Sequence, residues 1–140
     1  MKKILVLLLT LIIFTGCSNT TSKKEENNIL QITAAMTSIG AVDEAFDKQK
    51  LSYEFTISNK GNLPIFEESI KIILTDWINE KQIVNKIEET RFNEENIIVK
   101  GYVIFNTKDM SKREIEEKEP FIEGIKIRTE SDDEEIFIKN

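Results

Sequence analysis

Histidine is absent from all 140 residues, and cysteine occurs once, at position 17. The first absence excludes Ser-His-Asp and Cys-His catalysis and imidazole metal sites. The second excludes thiolate zinc sites and any intrachain disulfide. A domain built from this chain must be held by its core alone. Apolar runs are also short: Ile4 to Phe14, interrupted only by Thr10, is the longest, and a spanning helix needs about 20 such residues. Positive charge is in deficit, with 19 bases against 25 acids and a net charge of −6. Such a balance repels nucleic-acid backbones and anionic lipid surfaces, so neither is expected as a direct partner.

The N-terminus carries an address. Lys2 and Lys3 precede the apolar run, which stops at the small pair Thr15-Gly16 and then Cys17. A charged start, a short apolar middle and a small-residue end are the parts of an export signal. The arrangement resembles the bacterial lipobox, in which cleavage after the small residue (here Gly16) leaves a lipidated cysteine as the mature N-terminus. The resemblance implies a signal peptide over 1–16 and a diacylglyceryl anchor on Cys17. Each buried methylene of such an anchor contributes about 0.8 kcal/mol to membrane attachment. A cleaved secretory peptide followed by a free thiol, or an uncleaved hydrophobic anchor, are the alternatives. Removing residues 1–16 takes away two lysines and no acid, which leaves a mature chain of net charge −8. Richness in Ile, Lys, Glu and Asn is what an AT-rich genome writes. With the lipobox, it points to a low-GC Gram-positive bacterium.

Ser18 to Asn28 contains no aliphatic or aromatic residue and cannot bury enough surface to order itself. With Cys17 it reads as a tether (17–28) whose flexible reach is about 17–20 Å. Residues 29–140 are enough for one domain, and their pattern is mainly period two. Leu51, Tyr53, Phe55 and Ile57 alternate with polar residues, the clearest half-buried strand. Asn59 to Pro64 follows as a turn, with Gly61 or Asn62 suited to positive φ. Further strands are expected at Ile29–Thr37, at Ile70, Ile72 and Leu74, and at Ile83–Thr90, the last after a separator at Asn79–Gln82. Ile97 to Phe105 is apolar on both faces, which marks a central strand. Phe121, Ile125 and Ile127 form another, and Ile136 with Ile138 the last. Two stretches break the pattern. Ser38–Lys50 reads as a helical turn or a long connection. Ser111–Glu119 reads as a short helix, with a Ser111/Glu114 capping box, a Glu114/Lys118 pair and Pro120 as its stop. The expected fold is all-β, an antiparallel sandwich of about seven strands with one short helix crossing between the sheets.

The run Tyr53-Glu54-Phe55-Thr56-Ile57-Ser58-Asn59-Lys60-Gly61-Asn62-Leu63-Pro64-Ile65 resembles a strand and turn of immunoglobulin-like domains in bacterial surface proteins. Ile72–Trp77 followed by Gln82-Ile83-Val84 looks like their next hairpin. The resemblance implies a small Gram-positive lipoprotein with an immunoglobulin-like sandwich over 29–140. The inter-sheet disulfide of antibody domains has no counterpart here.

Little of the remaining chemistry is specific. Pairs such as Glu67-Glu68 or Glu88-Glu89 are inevitable among 25 acids and do not signal a glycosidase. The acidic turn 130–135, with Asp132 and Asp133, offers oxygens to a cation but lacks the spacing and glycine of an EF-hand loop. A solvated turn is the better reading, and the same solvated-surface reading applies to Asp43, Glu44 and Asp47. Trp77, the lone tryptophan, is a candidate recognition residue or a cap on the core. The expected protein is a non-enzymatic lipoprotein held on the outer face of the cell membrane through Cys17. It needs no cofactor and binds or supports an envelope protein. The alternative is a solute- or cation-binding lipoprotein that uses the acidic turn.

Overall fold

Leu51, Tyr53, Phe55 and Ile57 are buried while Ser52, Glu54 and Thr56 between them are half-buried. This alternation is what a strand with one face on a core dictates. In the computed structural model, which describes residues 30–130 and 133–137, these residues lie in β2 (Lys48–Asn59). It is flanked by β1 (Leu30–Ala41) and β5 (Asn96–Asn106), and β4 (Gln82–Phe92) closes the sheet in the order β1-β2-β5-β4. A second sheet has the order β3-β6-β7, from β3 (Lys71–Leu74), β6 (Ile122–Arg128) and β7 (Asp133–Phe137). Every pairing is antiparallel. The two orders together are those of the seven-stranded immunoglobulin constant-type sandwich. Phe55, Ile57, Val99, Val103, Phe105, Ile125 and Ile127 fill the space between the sheets and are fully buried.

The strand apolar on both faces is indeed central, since β5 lies between β2 and β4. Its register with β2 sets Leu51 opposite Val103, Phe55 opposite Val99 and Tyr53 opposite Gly101. With no side chain at 101, the Tyr53 ring lies across β5, and its hydroxyl donates to the Lys86 carbonyl of β4 at 3.3 Å. A Cβ at 101 would run into that carbonyl oxygen and the Tyr53 ring together. Burial pushes the Tyr53 phenol up to about 12, and the Glu88 carboxylate adds to the rise.

Several boundaries differ from expectation. β1 runs on to Ala41 and β2 starts at Lys48, so Ser38–Lys50 is neither a helical turn nor one long connection. Its ends pair as a hairpin, Ile39 opposite Leu51, around the loop 42–47. In that loop Val42 N–H donates to the Lys48 carbonyl, and cross-strand pairing outweighs the local propensity of Ala41–Phe46. Residues 79–81 do separate two strands, but as the end of a helix, α1 (Asp76–Lys81), and Gln82 already belongs to β4. β3 and β4 lie in different sheets, so Ile72–Trp77 and Gln82–Val84 are joined by a second helical crossover and are not a hairpin. Ile78 is fully buried there, and Asn79 Nδ2 donates to the Leu74 carbonyl at 3.1 Å. The helix turns Ile78 into the core while Asp76, Asn79 and Glu80 stay exposed.

The other helix, α2 (Lys112–Glu116), lies in the β5-to-β6 crossover as expected, and its capping box is formed. It is shorter than Ser111–Glu119, because Glu117 already closes it. Its surface pairs are Lys112–Glu116 and Arg113–Glu117, while the Glu114 carboxylate is taken by Ser111. At the β2 turn, Asn62 rather than Gly61 takes positive φ, at 45°. The Asn59 side chain brackets Leu63, accepting from its N–H at 2.9 Å and donating to its carbonyl at 3.0 Å.

Two outcomes follow. Gly101→Ala forces Tyr53 or β4 to move, and denaturant unfolding should show a loss at the upper end of the about 1–3 kcal/mol typical of overpacking. Tyr53 has a folded-state pKa above its ordinary value of 10. Its contribution to stability is therefore complete below pH 10 and is lost as pH rises towards about 12. Melting temperatures taken across that window should fall in the wild-type protein and fall less in Tyr53→Phe.

Candidate interaction surface

The two sheets are unequal. β1, β2, β4 and β5 have 11 or 12 residues each, whereas β3, β6 and β7 have four, seven and five. The shorter sheet therefore leaves part of the longer one uncovered. The shortfall is felt at both edges: no residue of β4 is buried, and β1 is exposed from Thr33 onwards on both faces. Ala35, Thr37 and Ile39 stand opposite Phe55, Tyr53 and Leu51 and so share the core-facing side of the sheet, yet none is buried.

Two open troughs run along this face, each of roughly 420–440 Å³. Ala35, Thr37, Pro120, Phe121 and Ile122 line one. Ile39, Ala41, Phe46, Met110 and Ile115 line most of the other. Among the described residues, Met36, Ile39, Val42 and Phe46 are half of the exposed large hydrophobic side chains, and all four lie on β1 or the loop after it. A cluster of this kind marks a contact surface more than scattered apolar residues do.

Phe46 is the most exposed of them, at 66%. Its backbone is left-handed, with φ 58°, a conformation that a bulky residue avoids at about 1–2 kcal/mol. Thr107 holds it there. The Thr107 hydroxyl donates to the Phe46 carbonyl at 3.0 Å, and the Thr107 N–H donates to the Asp47 carbonyl at 2.8 Å. Thr107 itself is buried. The fold thus spends local strain to keep an aromatic ring in solvent at the mouth of an apolar trough, which is a feature of binding sites.

The residues singled out from the sequence are dispersed. Trp77 is half-buried on α1, its indole edge-on to Phe105 (centroids 5.6 Å apart, 72°) and 6.1 Å from Phe121, with the Lys81 amine 5.8 Å over the ring. Most of what it touches is core. The acidic stretch 130–135 is not one turn, because Asp133 and Glu135 lie in β7. Asp133 Oδ1 accepts from Arg128 Nε at 2.8 Å, which holds its carboxyl below the usual range, and Glu135 meets Lys126 at 3.3 Å. Asp132 lies outside the described residues, as do Gly16, Cys17 and the tether 17–28. The two glutamate pairs, Glu67-Glu68 and Glu88-Glu89, line one open cleft of about 690 Å³ together with Lys71. Glu89 is paired with Arg91. Among the described residues, no group of three or more His, Cys, Asp or Glu side chains is arranged to hold a metal ion.

The sequence carries one mark of the β1 surface. Residues 27–42 contain no charged side chain, in a chain that is 31% charged. Its meaning depends on β1 being an edge strand, and periodicity does not reveal edges. No known protein family matches the chain, and no characterised protein or solved structure matches it.

The strain and the exposed ring are separable from stability. Phe46→Gly accepts φ 58° without a Cβ clash, so its melting temperature should equal or exceed that of the wild type. Fluorescence of an apolar dye such as ANS bound to the native protein should drop. A clear fall in melting temperature would show instead that Phe46 supports the fold.

Proposed function

We propose that this protein is a non-enzymatic binding module of the cell envelope, attached to the outer face of the membrane by lipid on Cys17. The reading makes it a small Gram-positive lipoprotein with an immunoglobulin-like domain, and its working surface is the exposed side of β1 with the Phe46 loop. The observation that carries it is Phe46 itself, held in solvent in a strained conformation beside an apolar trough. The anchor is supported by Lys2, Lys3, the apolar run and the small pair before the sole cysteine. Catalysis has little to draw on, since histidine is absent and the only thiol sits at the signal boundary.

The geometry lends less to a cation- or solute-binding role for 130–135. Asp133 is engaged by Arg128 and Glu135 by Lys126. These contacts neutralise the carboxylates that a cation would need.

Intact-mass measurement of the protein extracted from membranes should find a chain that begins at Cys17 and carries acyl mass. Cys17→Ser should lose that mass and either leave the membrane fraction or accumulate unprocessed. A mature chain that starts elsewhere without acyl mass would remove the anchor from this reading.

A further inference from the structure

An exposed strand edge presents a row of unpaired backbone N–H and C=O groups, and proteins commonly blunt such edges with charges, proline or short length. β1 is an edge of the four-stranded sheet. Over 12 residues, Leu-Gln-Ile-Thr-Ala-Ala-Met-Thr-Ser-Ile-Gly-Ala, it has no charge and no proline, and its one register shift lies near its start, between Ile32 and Ala34. Each of the other three edges is guarded. β4 carries Lys86, Glu88, Glu89 and Arg91 and two register shifts, β3 has four residues with Lys71 at its end, and β7 has five with Asp133 and Glu135. One edge alone has been left ready for another strand.

We propose that β1 pairs antiparallel with β1 of a second copy of this chain, joining two four-stranded sheets into one of eight. The proposal names the partner of the surface described above and rests on that reading for its location, while the pairing itself does not depend on the anchor. Three observations favour a second copy over a foreign strand. First, an antiparallel edge is its own complement, because a residue that points both backbone groups outwards exchanges both bonds with the residue opposite.

Second, around a two-fold axis the central residue meets its own copy, so a charge there would meet a like charge. A protein of net charge −6 pairs with itself most readily along an uncharged strip. Residues 27–42 are such a strip. With the axis at Thr37, Ala35 lies opposite Ile39, and the first charges beyond the strand, Asp43 and Glu44, fall beside Gln31 and Leu30 of the second copy. A foreign strand would impose no such neutrality, and in this charge-rich chain it would more naturally be read through charges.

Third, the chain outside the structure is long enough. With the axis at Thr37, antiparallel pairing sets the two Leu30 ends about 46 Å apart at equal height, given about 3.3 Å per strand residue. Residues 17–29 extend to roughly 40 Å each, so both lipidated ends reach one bilayer. Confinement to that bilayer raises the concentration at which two edges meet.

The test uses the full chain, both as the wild type extracted from membranes in detergent and in a Cys17→Ser background, where an introduced thiol is the only one. Single cysteines are placed at Ala35, Met36, Thr37 and Ser38, and a control is placed at Arg91 on the opposite edge. Mild oxidation should yield a homodimer at one or two adjacent β1 positions and none from Arg91. Sedimentation of the wild type should show a monomer–dimer equilibrium. Met36→Lys, at a side chain 61% exposed, should shift it to monomer by tenfold or more with an unchanged melting temperature. A wild type that stays monomeric throughout the concentration series, or β1 thiols that crosslink no better than Arg91, overturns the proposal. Crosslinking in membranes to a different envelope protein in place of the homodimer also overturns it, and gives the edge to a foreign strand. Dimers that persist in the Cys17→Ser chain would separate failure of the anchor from failure of the pairing.

Discussion

The β2–β5 pairing is the contact on which the rest of this structure depends. It sets Leu51, Tyr53, Phe55 and Ile57 in register with Val103, Gly101, Val99 and Ile97, and this double row forms the floor of the core. No disulfide is available to the domain, so closure of the sandwich rests on apolar burial against this floor. Of the three crossovers between the sheets, the two that carry an α-helix are fitted to it. Each leaves the four-stranded sheet or returns to it through a single turn of helix that drops one isoleucine into the core, Ile78 from α1 and Ile115 from α2.

The same pairing underlies the exposed β1 surface. A floor of strands 11 or 12 residues long lies under a roof of strands four to seven residues long. The excess length is exposed at the edges of the long sheet, and on β1 the exposure takes in both faces from Thr33 onwards. Inner-face residues there are small or modest, Ala35, Thr37 and Ile39, where a covered strand would carry bulk like that of Phe55. The sequence of β1 is therefore consistent with partial solvation, while its lack of charge is not what solvation alone selects. Two requirements, weak burial and neutrality, coincide on one strand, and strand-to-strand association satisfies both.

Most of the fold was legible. β2 and β5 were readable because their burial alternates with the side-chain period, and α2 was readable because its capping box is a local hydrogen-bonding event between Ser111 and Glu114. The misreadings share a cause. Ala41–Phe46 has local helical character, and Asn79–Gln82 has local turn character, but the pairing of Ile39 with Leu51 and the burial of Ile78 are set by residues distant in sequence. The candidate site was hardly legible at all. Trp77, Asp132 and Asp133 attracted notice for their chemistry, whereas Phe46 was one of eight phenylalanines with nothing local to mark it.

By itself the sequence determined the class of this protein. Absent histidine and a single cysteine at a signal-like boundary constrain the chemistry through composition, and alternating apolar residues constrain the fold through the two-residue period of a strand. Both are properties of a residue and its near neighbours. Only the tertiary structure decided which strands are edges, how far one sheet outruns the other and which aromatic ring stays in water. Those follow from the order of strands within the sheets, and strand order is a relation among segments that local sequence does not carry.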